Sequence, residues 1–83
     1  MCKVDFHLTA ILSDLAMEYG KAIKVHGPMH GPHEGYAVIL EELDELWDEI
    51  KASKPGSDRT AMRKEAIQVG AMALRFIADV CDK

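Results

Sequence analysis

Two short runs in this chain carry side chains that can hold a hard cation: Glu41-Glu42-Leu43-Asp44-Glu45 and, further on, Glu65 with Gln68. Glu45 and Glu65 are equidistant in sequence from Pro55, and so are Glu42 and Gln68. If the two runs lie on neighbouring antiparallel helices that turn at Pro55, both (i, i+3) pairs reach the same height. Four oxygen-bearing side chains then meet. Crowded carboxylates repel one another and raise one another's pKa. A Mg²⁺ ion, or Mn²⁺, removes that cost, prefers oxygen ligands, and keeps positions for water and phosphate oxygens. The expected metal set is therefore Glu42, Glu45, Glu65 and Gln68. The ordinary alternative is a solvated acidic helix face, and that is the reading for Asp44 and Asp48.

The elements that must position these residues are helices. Gly27-Pro28 and Gly31-Pro32 mark one break, and Lys54-Pro55-Gly56-Ser57-Asp58 another. A first helix is expected from about residue 5 to 24, with Asp5 as its N-cap and Leu8, Ile11, Leu12, Leu15 and Tyr19 as one apolar stripe. A second is expected from residue 32 to about 53, because proline suits a first helical turn. Its stripe is Ile39, Leu40, Leu43, Leu46, Trp47 and Ile50. At about 100° per residue, Glu34, Val38, Glu42, Glu45 and Glu49 share one flank of that stripe, and Glu41 is marginal. A third is expected from residue 58 or 59 to 81, capped by Asp58. Ile67, Gly70, Leu74, Ile77 and Cys81 make one apolar face, and Val69, Met72, Ala73, Phe76 and Val80 a second. A helix apolar on most of its circumference must be covered on most sides. The expectation is an all-α fold: a three-helix protomer with a helix 2/helix 3 hairpin, completing a four-helix-type bundle as a homodimer or dimer of dimers.

Size and composition agree. The 83 residues make one domain, 1–83, whose own core is marginal, and 48% are hydrophobic, an excess that points to burial between copies. With 14 acidic against 10 basic residues and a net charge of −4, no nucleic-acid partner is expected. A nucleotide remains possible as substrate, since a metal ion can neutralise both it and an acidic site. No apolar run approaches the roughly 18 residues of a membrane span. Cys2 and Cys81 form no disulfide framework, and the first residues lack a signal peptide's apolar stretch, so a cytoplasmic setting is expected.

At Glu41-Glu42-Leu43-Asp44-Glu45 and Glu65-Ala66-Ile67-Gln68 the chain resembles the MazG-like branch of the all-α nucleoside triphosphate pyrophosphatase superfamily. That family's motif is Glu-Glu-x-x-Glu on one helix and Glu-x-x-Asp on the next. The stretch from His26-Gly27-Pro28-Met29-His30 through Glu34-Gly35-Tyr36-Ala37 is also similar to small family members, and the resemblance spans about residues 26 to 80. It implies Glu42, Glu45 and Glu65 as metal ligands. It also implies Mg²⁺-dependent cleavage of a (d)NTP to (d)NMP and pyrophosphate, for clearing surplus or damaged nucleotides. Gln68 departs from the motif: a neutral carbonyl stands where the family has an anionic ligand. Glu41 or Glu45 would orient the attacking water as general base. Arg75, two turns beyond Gln68, would bind phosphate oxygens, unless it pairs with Asp79 at i+4. The competing reading is a helical oligomerisation or regulatory module that has kept the fold and lost turnover; a third is hydrolysis of another phosphorylated metabolite, such as a phosphoribosyl nucleotide.

The remaining candidates carry less. His26, His30 and His33 surround the two Gly-Pro steps, where zinc, the substrate cleft or a surface role are the alternatives. Trp47 and Tyr36 could stack on a base, but lie on the apolar side of helix 2, which points to packing. No glycine-rich phosphate loop is present.

Overall fold

The computed structural model describes residues 6–83. They form three α-helices and no strand: α1, Phe6–Val25; α2, Pro32–Ala52; and α3, Thr60–Phe76, which continues as a π-helical segment, Ile77–Cys81. The Asp5 cap and Cys2 lie outside the described residues. Two ends differ from expectation for local reasons. Arg59, not Asp58, is the first half-helical residue of α3. Asp58 still serves the helix end, since its carboxylate accepts both the Thr60 N–H (2.9 Å) and the Thr60 hydroxyl (2.6 Å), and these bonds hold its pKa below the usual carboxylate value. The last turn of the chain widens to i→i+5 bonding, with Asp82 N–H donating to Ile77 O at 2.9 Å.

The breaks form where glycine and proline place them. Gly31 is extended at the N-cap of α2, with Pro32 in the first turn. No side chain caps this end; Glu34 in the first turn accepts the N–H of His30, the residue before the N-cap, at 3.3 Å. At the other end Ser53 closes α2 through its N–H and Oγ, both donating to Ile50 O. Lys54-Pro55-Gly56-Ser57 follows as a turn closed by Ser57 N–H to Lys54 O at 2.9 Å. Its Gly56 has φ = 82°, and proline then glycine at the two central positions is what a type II turn requires.

Both α1 and α2 pack against α3. Two close approaches set these interfaces. A Cβ on Gly70 would come 2.5 Å from Leu15 Cδ2 of α1, and one on Gly35 would come 2.5 Å from Phe76 Cδ2 and 2.8 Å from its Cε2. Asp14 and Arg63 add an exposed ion pair between α1 and α3 at 2.7 Å, a contact worth about 0–1 kcal/mol.

The core is small: Ala22, Met29, Ala71 and Met72, flanked by Val38, Ile39, Phe76 and Val80. Among the described residues no large side chain is fully buried. The α2 face that meets α3 is the flank carrying Gly35, Val38 and Glu42 rather than the apolar stripe. That stripe stays largely outside: Leu43 is 47% exposed and Trp47 55%, and Tyr36 nearby is 64% exposed. Leu8 and Leu12 of α1, and Leu74 and Ile77 at the far side of α3, are exposed as well. The molecule is a slab of 42 × 38 × 21 Å with a radius of gyration of 14.4 Å, against about 12 Å for a compact chain of this length. No helix among the described residues is long and apolar enough to cross a membrane.

The two glycine contacts differ in what must yield. Beside Gly70 it is the end of a leucine that can change rotamer; beside Gly35 it is a rigid ring, with Met29 Sδ at 3.2 Å. Gly35→Ala is expected to destabilise by about 1–3 kcal/mol despite its gain in helix propensity. Gly70→Ala should cost less than Gly35→Ala, or nothing. Denaturant melts of the two variants give the order, and a Gly70→Ala loss at or above that of Gly35→Ala contradicts it.

Candidate functional site

Glu41, Glu42 and Glu45 sit on successive turns of α2, and one carboxylate oxygen of each lies within 4.8 Å of the other two. Two oxygens on opposite sides of a Mg²⁺ ion are about 4.2 Å apart, so this spacing fits a shared cation after small side-chain rotations. Glu42 is half-buried where α2 meets α3; Glu41 and Glu45 are exposed. Glu41, marginal on the helical wheel, is thus a full member of the cluster. Glu65 and Gln68 lie half-buried on α3. Glu65 is outside the 4.8 Å group but near enough for its charge to act on Glu42.

Glu42 is the electrostatic centre. Its pKa is raised above the usual carboxylate value, first by burial, then by the charges of Glu45, Glu65, Glu41 and Glu18. Glu18 belongs to α1, so carboxylates from all three helices bear on one position. Sequence reasoning passed over Glu18, although the signal was present. Ile11, Leu15, Glu18 and Ala22 follow one helical line, and the structure buries or half-buries all four. An acid on the covered face of a helix differs from the solvated acids around it.

Beside the carboxylates lies a cavity of about 360 Å³, walled by Glu41, Glu42, Met72, Arg75 and the connector between α1 and α2. Arg75 is only 4% exposed. Its Nη2 donates to Gly27 O at 2.6 Å and its Nη1 to Met72 Sδ at 3.3 Å. Its Nε has no hydrogen-bond partner. No carboxylate pairs with it among the described residues, and Asp79 instead accepts the Met29 N–H at 3.0 Å. The i+4 salt bridge considered for Arg75 is therefore not made. A buried cation held by a carbonyl and a thioether keeps most of its charge uncompensated, which is costly unless an anion completes the site.

His26 and His30 also line this cavity, and His33 does not. His30 Nδ1 lies 3.1 Å from Glu34 Oε2. Tyr36 and Trp47 are absent from the wall, and Trp47 instead lies under Lys51, whose Nζ is 5.7 Å from the ring centroid. No protein-family model matches the chain, and no curated protein or solved structure matches it.

The raised pKa of Glu42 fixes a sign. A carboxyl whose folded pKa lies above its unfolded value stabilises the protein while protonated, and loses that contribution as pH rises through the folded pKa. Metal-free protein is expected to melt at a higher temperature at mildly acidic than at neutral pH, and Glu42→Gln should raise its neutral-pH melting temperature. Thermal unfolding in chelator checks both; a Glu42→Gln variant that melts lower at neutral pH refutes the assignment.

Proposed function

We propose that the chain is a Mg²⁺-dependent nucleoside triphosphate pyrophosphohydrolase of the MazG-like kind, converting a (d)NTP to the monophosphate and pyrophosphate. One observation carries the reading. A single cavity has in its wall both Glu41 and Glu42, two of three convergent carboxylates, and the buried Arg75. Acids that need a cation and a cation that needs an anion fit a metal-bound polyphosphate.

In this reading Glu42 and Glu45 hold the metal, with Glu65 and the Gln68 carbonyl facing them from α3. The order of neighbouring pairs supports an antiparallel hairpin: Gly35 lies against Phe76, Glu42 feels Glu65, and Glu49 and Ala52 share a cavity wall with Ala61 and Met62. When bound, Mg²⁺ supplies neutralisation of the phosphate charge and of the charge that develops in the transition state. Arg75, in the wall of the same cavity, would bind phosphate oxygens. Glu41 or Glu45, both exposed, accepts a proton from water as the water oxygen bonds to phosphorus. The P–O bond of the α–β bridge then breaks, and pyrophosphate leaves with the bridging oxygen's electron pair.

The exposed stripe of α2 is read as covered by a second copy in a homodimer or dimer of dimers, because the slab-shaped protomer buries so little of its own apolar surface. Trp47→Glu is expected to dissociate the assembly, as sedimentation velocity would show. Wild-type chain that sediments as a monomer at micromolar concentration removes the oligomer from the reading.

Incubation with each dNTP and Mg²⁺, followed by product separation, tests the activity. Monophosphate plus pyrophosphate is expected, with a loss of roughly a hundredfold or more in Glu42→Gln and Glu65→Gln and no loss of folding. Diphosphate plus orthophosphate, or no turnover of any nucleotide, overturns it. Gln68 favours a second reading, a helical regulatory module with turnover lost; activity that emerges only on Gln68→Asp would establish that one instead.

A further inference from the structure

The connector between α1 and α2, residues 26–31, supplies His26, Gly27, Pro28 and His30 to the wall of the carboxylate–arginine cavity. It has no regular hydrogen-bond ladder of its own, so its backbone groups must be paired from outside. His30 N–H is taken by Glu34. The Met29 residue is 3% exposed, and its N–H is taken by Asp79 Oδ2 at 3.0 Å. Gly27 O is taken by Arg75 Nη2 at 2.6 Å. Asp79 and Arg75 are thus two oppositely charged side chains from the end of one helix that grip the same connector two residues apart.

In a regular helix an arginine and an aspartate at i and i+4 face each other and pair. Here they do not. The chain enters its π-helical segment at Ile77, between them; Asp79 accepts from the Met29 amide and Arg75 donates to Gly27 O.

We propose that Asp79 is a positioning residue for substrate binding. By fixing the Met29 amide it holds the connector as the cavity wall, and so sets how well the substrate is gripped without touching it. The proposal rests on the pyrophosphohydrolase reading for what the cavity binds, but the clamp itself does not.

Full-length Asp79→Ala and Asp79→Asn, compared with wild type, test it, since asparagine keeps an acceptor oxygen for the Met29 N–H and alanine does not. In Asp79→Ala the Met29 amide should exchange its hydrogen about tenfold faster or more, and KM for the turned-over nucleotide should rise about tenfold with kcat within about twofold. Asp79→Asn should bring both back to within about twofold of wild type. Mn²⁺ binding, followed by its electron spin resonance signal, should be the same in all three. Unchanged Met29 exchange in Asp79→Ala overturns the clamp, whatever the activity. Fast exchange with unchanged KM, or with kcat falling and KM constant, overturns the positioning role. If wild type turns over no nucleotide, the pyrophosphohydrolase reading fails. The substrate role then fails with it, while Met29 exchange still decides the clamp.

Discussion

Everything in this molecule depends on α3 (Thr60–Phe76) serving as the shared partner of the other two helices. α1 (Phe6–Val25) and α2 (Pro32–Ala52) each approach it at a residue with no side chain: Gly70 on α3 admits Leu15, and Gly35 on α2 admits Phe76. A Cβ at either point forces the neighbour to move, because packed interiors have no spare space for a methyl group. These approaches place Glu18 of α1 and Glu65 of α3 within electrostatic reach of Glu42 on α2. They also bring the end of α3 under the α1–α2 connector.

The result is an arrangement of charge at odds with a small stable core. Glu42 is half-buried among like charges, and Arg75 is buried with no carboxylate partner among the described residues. Four buried apolar residues are little to set against those costs. Natural sequences accept such local conflicts mainly at sites with a use. The opposite charges line one cavity without an ion pair between them among the described residues, so a ligand that carries both a cation and an anionic chain would relieve both. A surface salt bridge such as Asp14–Arg63, exposed and already paired, sets up no such demand.

The three helices and their breaks were legible in the sequence because each rests on a local cause. Pro32 opens α2, Pro55 and Gly56 make the turn, and Asp58 serves the start of α3. The closeness of Glu42 and Glu45 was legible for the same reason, since i and i+3 on one helix share a flank, but Glu41, marginal on the wheel, joins them only in the structure. How much of the apolar stripe of α2 the protomer covers was not legible in the same way. Ile39 packs on the core and Leu46 is half-buried, while Leu40, Leu43, Trp47 and Ile50 stay exposed. Periodicity shows that a face must be covered; it does not say by what.

Glu18 and Asp79 mark the boundary between the two kinds of information. The sequence by itself determined that this chain forms helices broken at Gly-Pro and Pro-Gly steps, and that Glu42 and Glu45 share one flank of α2, because those facts follow from bonding and spacing within about one turn. Only the tertiary structure decided that α1 adds a carboxylate to that pair. Only it showed that Arg75 is buried in one cavity wall with the acids, and that Asp79 takes the Met29 amide rather than Arg75. Each of those depends on how far apart two helices lie and how they are rotated, which is set by close contacts such as Gly35–Phe76 and Gly70–Leu15 between residues distant in the chain.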